Sequence, residues 1–168
     1  GAWVAERYTV IDDLLASNPD AIHPVTRKII THAESMSAAD VFKGMYRLAD
    51  LKREAEPLLA RLDMLCVPTI PTFYSVADLE ADPVTPNSNN GTYTNFVNLL
   101  DMCAIAVPTA PRRDGRPGSL TLIAGAGKDA NIAAIARGFE ADCIRPMGAT
   151  EHPIPTPETL PQGASDQI

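Results

Sequence analysis

Arg7 is the residue of this sequence best suited, by its type and setting, to recognise a small anion. It lies between Glu6 and Tyr8 and close to an apolar anchor at Trp3. One interpretation is an ordinary surface arginine in a salt bridge, and the residues alone favour it. The other is a planar guanidinium fork that grips a carboxylate through two parallel hydrogen bonds. Both interpretations stay open at this point.

A second candidate is the polar segment 87–95, which is rich in asparagine and threonine and contains Gly91 and Thr92. These two residues stand where a helix is predicted to begin. They could serve only as boundary and N-cap residues of that helix. Alternatively, they form the tentative wall of a polar pocket at a helix N-terminus, a place that favours an anionic ligand. The residues do not decide between these two interpretations.

Other patterns that carry chemistry are incomplete. The segment 125–128 lacks the full spacing of a phosphate-binding loop and predicts a tight turn from a strand to a helix. No serine lies in a Gly-x-Ser-x-Gly pattern, and no pair of carboxylates stands out for acid–base chemistry. The histidines are scattered, which favours surface or capping roles for His23, His32 and His152. The sequence therefore predicts neither a catalytic residue nor a metal site within this chain.

The bulk composition narrows the class of protein. The chain has 168 residues and a net charge of −7, so nucleic acid and anionic membranes are poor partners. No apolar run approaches the roughly 20 residues that cross a bilayer, and the first residues do not resemble a signal peptide. The three cysteines, Cys66, Cys103 and Cys143, are widely spaced and odd in number. They predict reduced thiols in a cytoplasmic protein.

Three helices are predicted before the first strand, at residues 2–16, 25–33 and 38–62, from apolar residues at helical spacing. Ser37 and Asp40 have the spacing of a capping box at the start of the third. Pro57 interrupts this helix and predicts a bend or break near Glu54.

The second half of the chain predicts an α/β fold. Short apolar runs at 63–68 and 104–108 are typical of strands buried on both faces at the centre of a sheet. Asp114-Gly115 predicts a hairpin that leads into a third strand at 120–124. Helices are expected at 92–101 and 129–142, and the segment 69–90 is expected to be irregular.

The amino-acid composition changes after Arg145. Residues 146–168 are rich in proline and poor in packing residues, which predicts a semi-extended linker or tail toward a second domain. Residues 1–145 are expected to form the C-terminal part of a larger domain, because two strands that look central need neighbours. The chain also begins within a helical pattern of apolar residues, which supports the same expectation of a larger domain.

Four runs carry a resemblance to a known family. They read GAWVAERYTVIDDLLASNPDAIHPVTRKII, SAADVFKGMYRLADLKREAE, VPTIPTFYSVADLEADPV and NSNNGTYTNFVNLLDMCAIAVP. In this order they resemble the allophanate hydrolases of the amidase signature family, free-standing or as the amidase domain of urea amidolyase. The resemblance covers about residues 1–142, and the runs around WVAERY and GTYTNFVNLLD are specific to the allophanate branch. Pro57 and Cys103 depart from the expected pattern.

The resemblance implies a fold, an activity and one site residue. The fold is α/β/α with a central mixed sheet. The activity is hydrolysis of allophanate through a Ser-Ser-Lys acyl-enzyme, without metal or cofactor, in enzymes of urea and s-triazine breakdown that are commonly dimers. The catalytic residues precede the matched region, so none is expected in this chain. Arg7 falls on the family's substrate-carboxylate arginine, while its partner tyrosine would lie upstream of Gly1.

Three hypotheses about the function remain open. The leading one is a segment of an allophanate hydrolase that needs the remainder of the amidase domain. The second is another amidase-signature enzyme, such as a biuret hydrolase or an amidotransferase subunit. The third is a non-catalytic subunit that completes the sheet of a partner.

Overall fold

The structure is a computed structural model that describes residues 2–143, 146–148 and 150–154. It divides into two compact units. The first comprises Gly1–Asp63 and Ile70–Met102, and the second comprises Met64–Thr69 and Cys103–Ile168. Among the described residues, no helix is both long enough and apolar enough to cross a membrane.

The first unit is helical. Short 3-10 helices at Pro19–Ala21 and His32–Ser35 join longer elements. Its α-helices are α1 (Trp3–Ser17), α2 (Pro24–Thr31), α3 (Ala38–Leu59), α4 (Val76–Ala81), α5 (Thr85–Asn90) and α6 (Asn95–Leu99).

Local hydrogen bonds explain where α2 and α3 begin. The His23 Nδ1 accepts the N–H of Val25 at 3.4 Å, which confirms the capping role predicted for His23. At α3 the Ser37 Oγ accepts the N–H of Asp40 at 3.2 Å, and the Asp40 carboxylate accepts the N–H of Ser37 at 3.1 Å. The predicted capping box is thus confirmed. The hydroxyl and the N–H of Ser37 both donate to this carboxylate and lower the pKa of Asp40.

The break predicted near Glu54 is wrong, because α3 continues through Pro57 to Leu59. A proline removes one hydrogen bond and crowds the carbonyl four residues earlier. Pro57 lies in the last turn of α3, and the turn before it stays helical; the bend that was predicted as the other outcome stays a prediction. The N–H of Ala60 still donates to the Glu56 carbonyl at 2.9 Å, so the regular pattern resumes directly after the proline.

The expectation of an irregular segment at 69–90 is also wrong, since α4 and α5 lie within it. Ser75 and Asp78 form a second capping box, with the Ser75 N–H 2.8 Å from the Asp78 carboxylate. The Asp82 carboxylate accepts the N–H groups of Val84 and Thr85 at 3.0 and 3.1 Å and so starts α5. The Ser-x-x-Asp spacing that predicts α3 recurs at Ser75 and was the missed signal.

The second unit is a sheet covered by one helix. It contains β1 (Leu65–Pro68), β2 (Met102–Thr109), β3 (Gly118–Gly125) and α7 (Asp129–Asp142). The three strands form an antiparallel sheet in the order β1-β3-β2, with Leu65 opposite Ile123. The predicted α/β class, with helices flanking a sheet, is confirmed.

The core of the second unit lies where β3 faces α7. It is formed by buried side chains from β2, β3 and α7: Val107, Leu122, Ala124, Ile132 and Ala136. The two outer strands are exposed on one face, since burial alternates along both. The described chain thus leaves one face of each strand exposed, and the expectation that both are central in a larger sheet stays a prediction. Both lie at the edges of the sheet, and β3 is the central strand.

Two turns follow their sequence signals. Gly115 adopts a φ of +78° in the hairpin between β2 and β3, where the N–H of Arg112 donates to the Arg116 carbonyl at 2.9 Å. The segment 125–128 is a turn between β3 and α7, in which Gly127 has a φ of +74°. Both predictions are confirmed.

The described part of the proline-rich tail is folded back on itself. Pro146 and Pro153 form an antiparallel bridge, and the N–H of Met147 donates to the His152 carbonyl at 2.7 Å. The rest of the predicted linker, at 149 and 155–168, lies outside the described residues. The boundary at 145 stays a prediction.

Candidate functional site

Arg7 lines a cavity between α1 and α2. The cavity has a volume of about 370 Å³, and its walls are mainly apolar. Among the lining residues, only the guanidinium of Arg7 carries a charge, and the hydroxyl of Thr26 adds a second polar group. The lining residues are Trp3, Val4, Arg7, Thr26, Ile29 and Ile30. Such a site suits a small ligand with one anionic end.

The guanidinium of Arg7 has no hydrogen-bond or ion-pair partner in the part of the chain that the structure describes. Other arginines of the same unit are paired: Arg27 with Asp20 at 2.8 Å, and Arg53 with Asp50 at 2.6 Å. The surface salt bridge that the residues alone favoured is thus not formed there. Arg7 is exposed, so its fork is available to a carboxylate.

Tyr8, the next residue, fixes the helix that carries Arg7. Its hydroxyl donates to the Glu34 carboxylate at 3.1 Å and ties α1 to the 3-10 helix after α2. This hydrogen bond is the main cause of the raised pKa of Tyr8. The contact thus joins α1 to the segment that directly follows α2.

The segment around Gly91 and Thr92 is a turn between two short helices. Gly91 ends α5, and α6 begins only at Asn95 rather than at the predicted residue 92. The Thr92 hydroxyl donates to the Asn89 carbonyl at 2.6 Å, and the N–H groups of Thr94 and Asn95 both donate to the Gly91 carbonyl. The dipole argument for an anion therefore does not apply to Gly91 and Thr92. Their place in a pocket wall stays a prediction.

The Asn95 carboxamide packs directly on Gly91. A Cβ at residue 91 would clash with the Oδ1 and Nδ2 atoms of Asn95. The backbone of Gly91 has a φ of −82°, which any residue adopts. A larger residue at this position would therefore displace the Asn95 side chain, while the turn itself does not call for glycine. The sequence did not single out this contact.

Polar side chains near Gly91 mostly form hydrogen bonds within the chain. Asn87 donates to the Pro83 carbonyl at 2.8 Å, and Asn89 donates to the Tyr74 hydroxyl at 3.0 Å. Asn90 differs, because its Oδ1 is buried and has no partner in the described residues.

The described residues contain no group of three or more His, Cys, Asp or Glu side chains that could hold a metal ion. The three cysteines are free, and Cys66 is exposed. Arg7 and the cavity beside it are therefore the candidate site of this chain.

Comparison with known proteins assigns the family. The family model described as Amidase matches residues 5–132, which is most of the chain. The chain belongs to the amidase family. This amidase chain is 44% identical over 125 residues to the urea amidolyase of Lachancea kluyveri, which covers 73% of this chain and 7% of that protein. It is 42% identical to the urea amidolyase of Saccharomyces cerevisiae, over the same shares.

Solved structures show the same fold. The allophanate hydrolase of Kluyveromyces lactis matches with a TM-score of 0.84 and 36% identity, over 95% of this chain and 29% of its own. The urea amidolyase of the same organism matches with a TM-score of 0.86 and 36% identity, over 95% of this chain and 11% of its own. The amidase chain thus spans a small part of the proteins that it matches.

Proposed function

We propose that this chain is part of an allophanate hydrolase, which cleaves a C–N bond of allophanate to give ammonia and carbon dioxide. The family match and the likeness to the Kluyveromyces lactis allophanate hydrolase support this proposal. The observation that carries the substrate assignment is the unpaired guanidinium of Arg7 beside an apolar cavity. Allophanate is small and ends in a carboxylate, the group that an arginine fork binds best.

On this proposal the chemistry is divided between this chain and the rest of the enzyme. A serine outside the chain, activated by a second serine and a lysine, attacks the amide carbonyl and displaces ammonia. Water then hydrolyses the acyl-enzyme, and the released N-carboxycarbamate decays to carbon dioxide and a second ammonia. Arg7 holds the carboxylate away from the bond that breaks, so this chain contributes binding and orientation.

The remainder of the amidase domain is the partner that we propose for residues 1–145, and residues 146–168 lead toward a second domain. Support comes from α3, which has no buried residue although it carries large apolar side chains. Phe42 is 54% exposed and Tyr46 is 67% exposed. Several large apolar side chains exposed on one helix are normally covered by other protein.

We also propose a cytoplasmic homodimer that releases nitrogen from urea or s-triazines. The three free cysteines support the compartment. The dimer rests on the family resemblance, and its test is the sedimentation coefficient of the full-length gene product.

The test of the activity is ammonia release by the full-length gene product from allophanate, biuret and glutamine. Preference for allophanate is expected. Preference for biuret or glutamine would instead identify another amidase-signature enzyme. The purified 168-residue chain is expected to release no ammonia from any of the three, because the proposed nucleophile lies outside it. Ammonia release by this chain alone would contradict the proposal that the nucleophile lies outside it. If the isolated chain sediments as a stable folded monomer, that result would argue against central strands that lack their neighbours.

A further inference from the structure

The cavity beside Arg7 is lined by three side chains from each of its two helices. Helix α1 contributes Trp3, Val4 and Arg7, and helix α2 contributes Thr26, Ile29 and Ile30. On each helix, the residue that bears the guanidinium or the hydroxyl lies three and four residues from the other two, so each set shares one helix face. A ligand in the cavity therefore meets a charged donor on α1 and a hydroxyl on α2.

The Thr26 hydroxyl has no hydrogen-bond partner in the part of the chain that the structure describes. The other threonines of these two helices, Thr9 and Thr31, donate to backbone carbonyls of their own helix at 2.7 and 2.9 Å. Thr26 differs because it lies in the first turn of α2, where the preceding His23 carbonyl accepts the N–H of Arg27 at 2.9 Å. Its exposed hydroxyl is left to solvent or to a molecule in the cavity.

A carboxylate bound by Arg7 has room for another donor. Its two oxygens accept about four hydrogen bonds, of which an arginine fork supplies two. The indole N–H of Trp3 is carried by the same helix as Arg7, whereas the Thr26 hydroxyl lies on the other wall of the cavity. A fork alone leaves the ligand free to rotate about the axis that joins the two groups. A donor from the second helix removes that freedom and orients the ligand.

We propose that the Thr26 hydroxyl donates a third hydrogen bond to the substrate carboxylate that Arg7 binds. Thr26 is then a second specificity-determining residue, which favours ligands with a carboxylate at this end. This inference rests on the proposed function and extends it to a second residue of the same site.

The experiment measures steady-state ammonia release by the full-length enzyme. Thr26→Val keeps the branched shape and removes the hydroxyl, so the KM for allophanate should rise about tenfold with kcat unchanged. Thr26→Ser retains a hydroxyl and should restore most of the lost affinity. Biuret has the ureido group but no carboxylate. Its KM, or its inhibition constant if it is not hydrolysed, should be the same in all three enzymes.

Thr31→Val is the matched control on the same helix. It also replaces a threonine hydroxyl by a methyl group, but that hydroxyl donates to the Arg27 carbonyl and lies outside the cavity. The KM for allophanate should stay unchanged in this variant. Thermal midpoints of both valine variants report any general effect on α2.

Each outcome decides one claim. Unchanged KM for allophanate in Thr26→Val overturns the inference and leaves the proposed function intact. An equal loss of affinity for biuret overturns the contact with the carboxylate. A rise in KM that Thr26→Ser does not reverse also overturns the inference, because it assigns Thr26 to packing. An unaltered enzyme that releases no ammonia from allophanate overturns the proposed function, and this inference with it.

Discussion

Replacing Arg7 by lysine tests the substrate assignment most directly. The guanidinium can donate two parallel charge-assisted hydrogen bonds to a carboxylate, whereas an ammonium is a point charge that replaces only one of them well. The loss of one hydrogen bond to a charged group costs about 1.5 to 3 kcal/mol, or about ten- to 150-fold in binding. Arg7 is exposed in the described chain, so solvent screening favours the lower end.

The effect should fall on KM for allophanate, with little change in kcat. The carboxylate is remote from the bond that breaks, so Arg7 holds the ground state and the transition state alike. Steady-state ammonia release by the full-length enzyme measures both constants. Arg61→Lys is the matched control, since Arg61 is also exposed and has no partner among the described residues. It lies outside the cavity and should leave KM unchanged.

Two results would refute the reasoning. Unchanged KM for allophanate in Arg7→Lys shows that the fork does not hold the substrate. An equal rise for biuret, which lacks the carboxylate, shows that Arg7 acts on some other feature. A fall in the thermal midpoint beyond that of the Arg61→Lys control would assign Arg7 to the packing of α1 against α2.

Two further predictions concern stability. Ser37→Ala removes the cap of α3 and should lower the free energy of unfolding by about 1 kcal/mol at neutral pH. Since the hydrogen bonds from Ser37 lower the pKa of Asp40 in the folded state, their part of this difference is present at neutral pH and should be lost as the pH falls below the usual range of aspartate pKa values. Urea titrations that give the same difference at neutral and at low pH contradict this link. Ile123→Ala, at a fully buried position of β3, should cost about 2 to 5 kcal/mol. Ile135→Ala on the exposed side of α7 is its control, and equal losses would argue against β3 as the centre of the core.

Features set by neighbours in the sequence were predictable. The capping boxes at Ser37 and Ser75 share the Ser-x-x-Asp spacing, so α4 could have been predicted with the rule that gave α3. The turns at Gly115 and Gly127 follow from residues that tolerate positive φ. At Pro57 only the break is excluded, because α3 continues for two residues beyond it.

Features set by tertiary contacts were not predictable in the same way. Short apolar runs do not reveal whether a strand is central or at an edge, and β1 and β2 are the outer strands of the described sheet. The contact of Asn95 with Gly91 depends on a side chain that folds back across a turn. Nothing in the sequence distinguishes Asn95 from the other asparagines between residues 87 and 98, because all share the same polar type.

The unpaired state of Arg7, by contrast, follows from the sequence once α1 is accepted as a helix. Side chains on a helix pair at separations of three and four residues, whereas adjacent residues point in different directions. Glu6, which suggested a salt bridge, is adjacent and therefore poorly placed. The residues three and four away from Arg7 are all apolar: Trp3, Val4, Val10 and Ile11. Helix α1 thus provides no acidic partner for Arg7 and places apolar side chains beside it. The guanidinium therefore stays available to an anionic ligand.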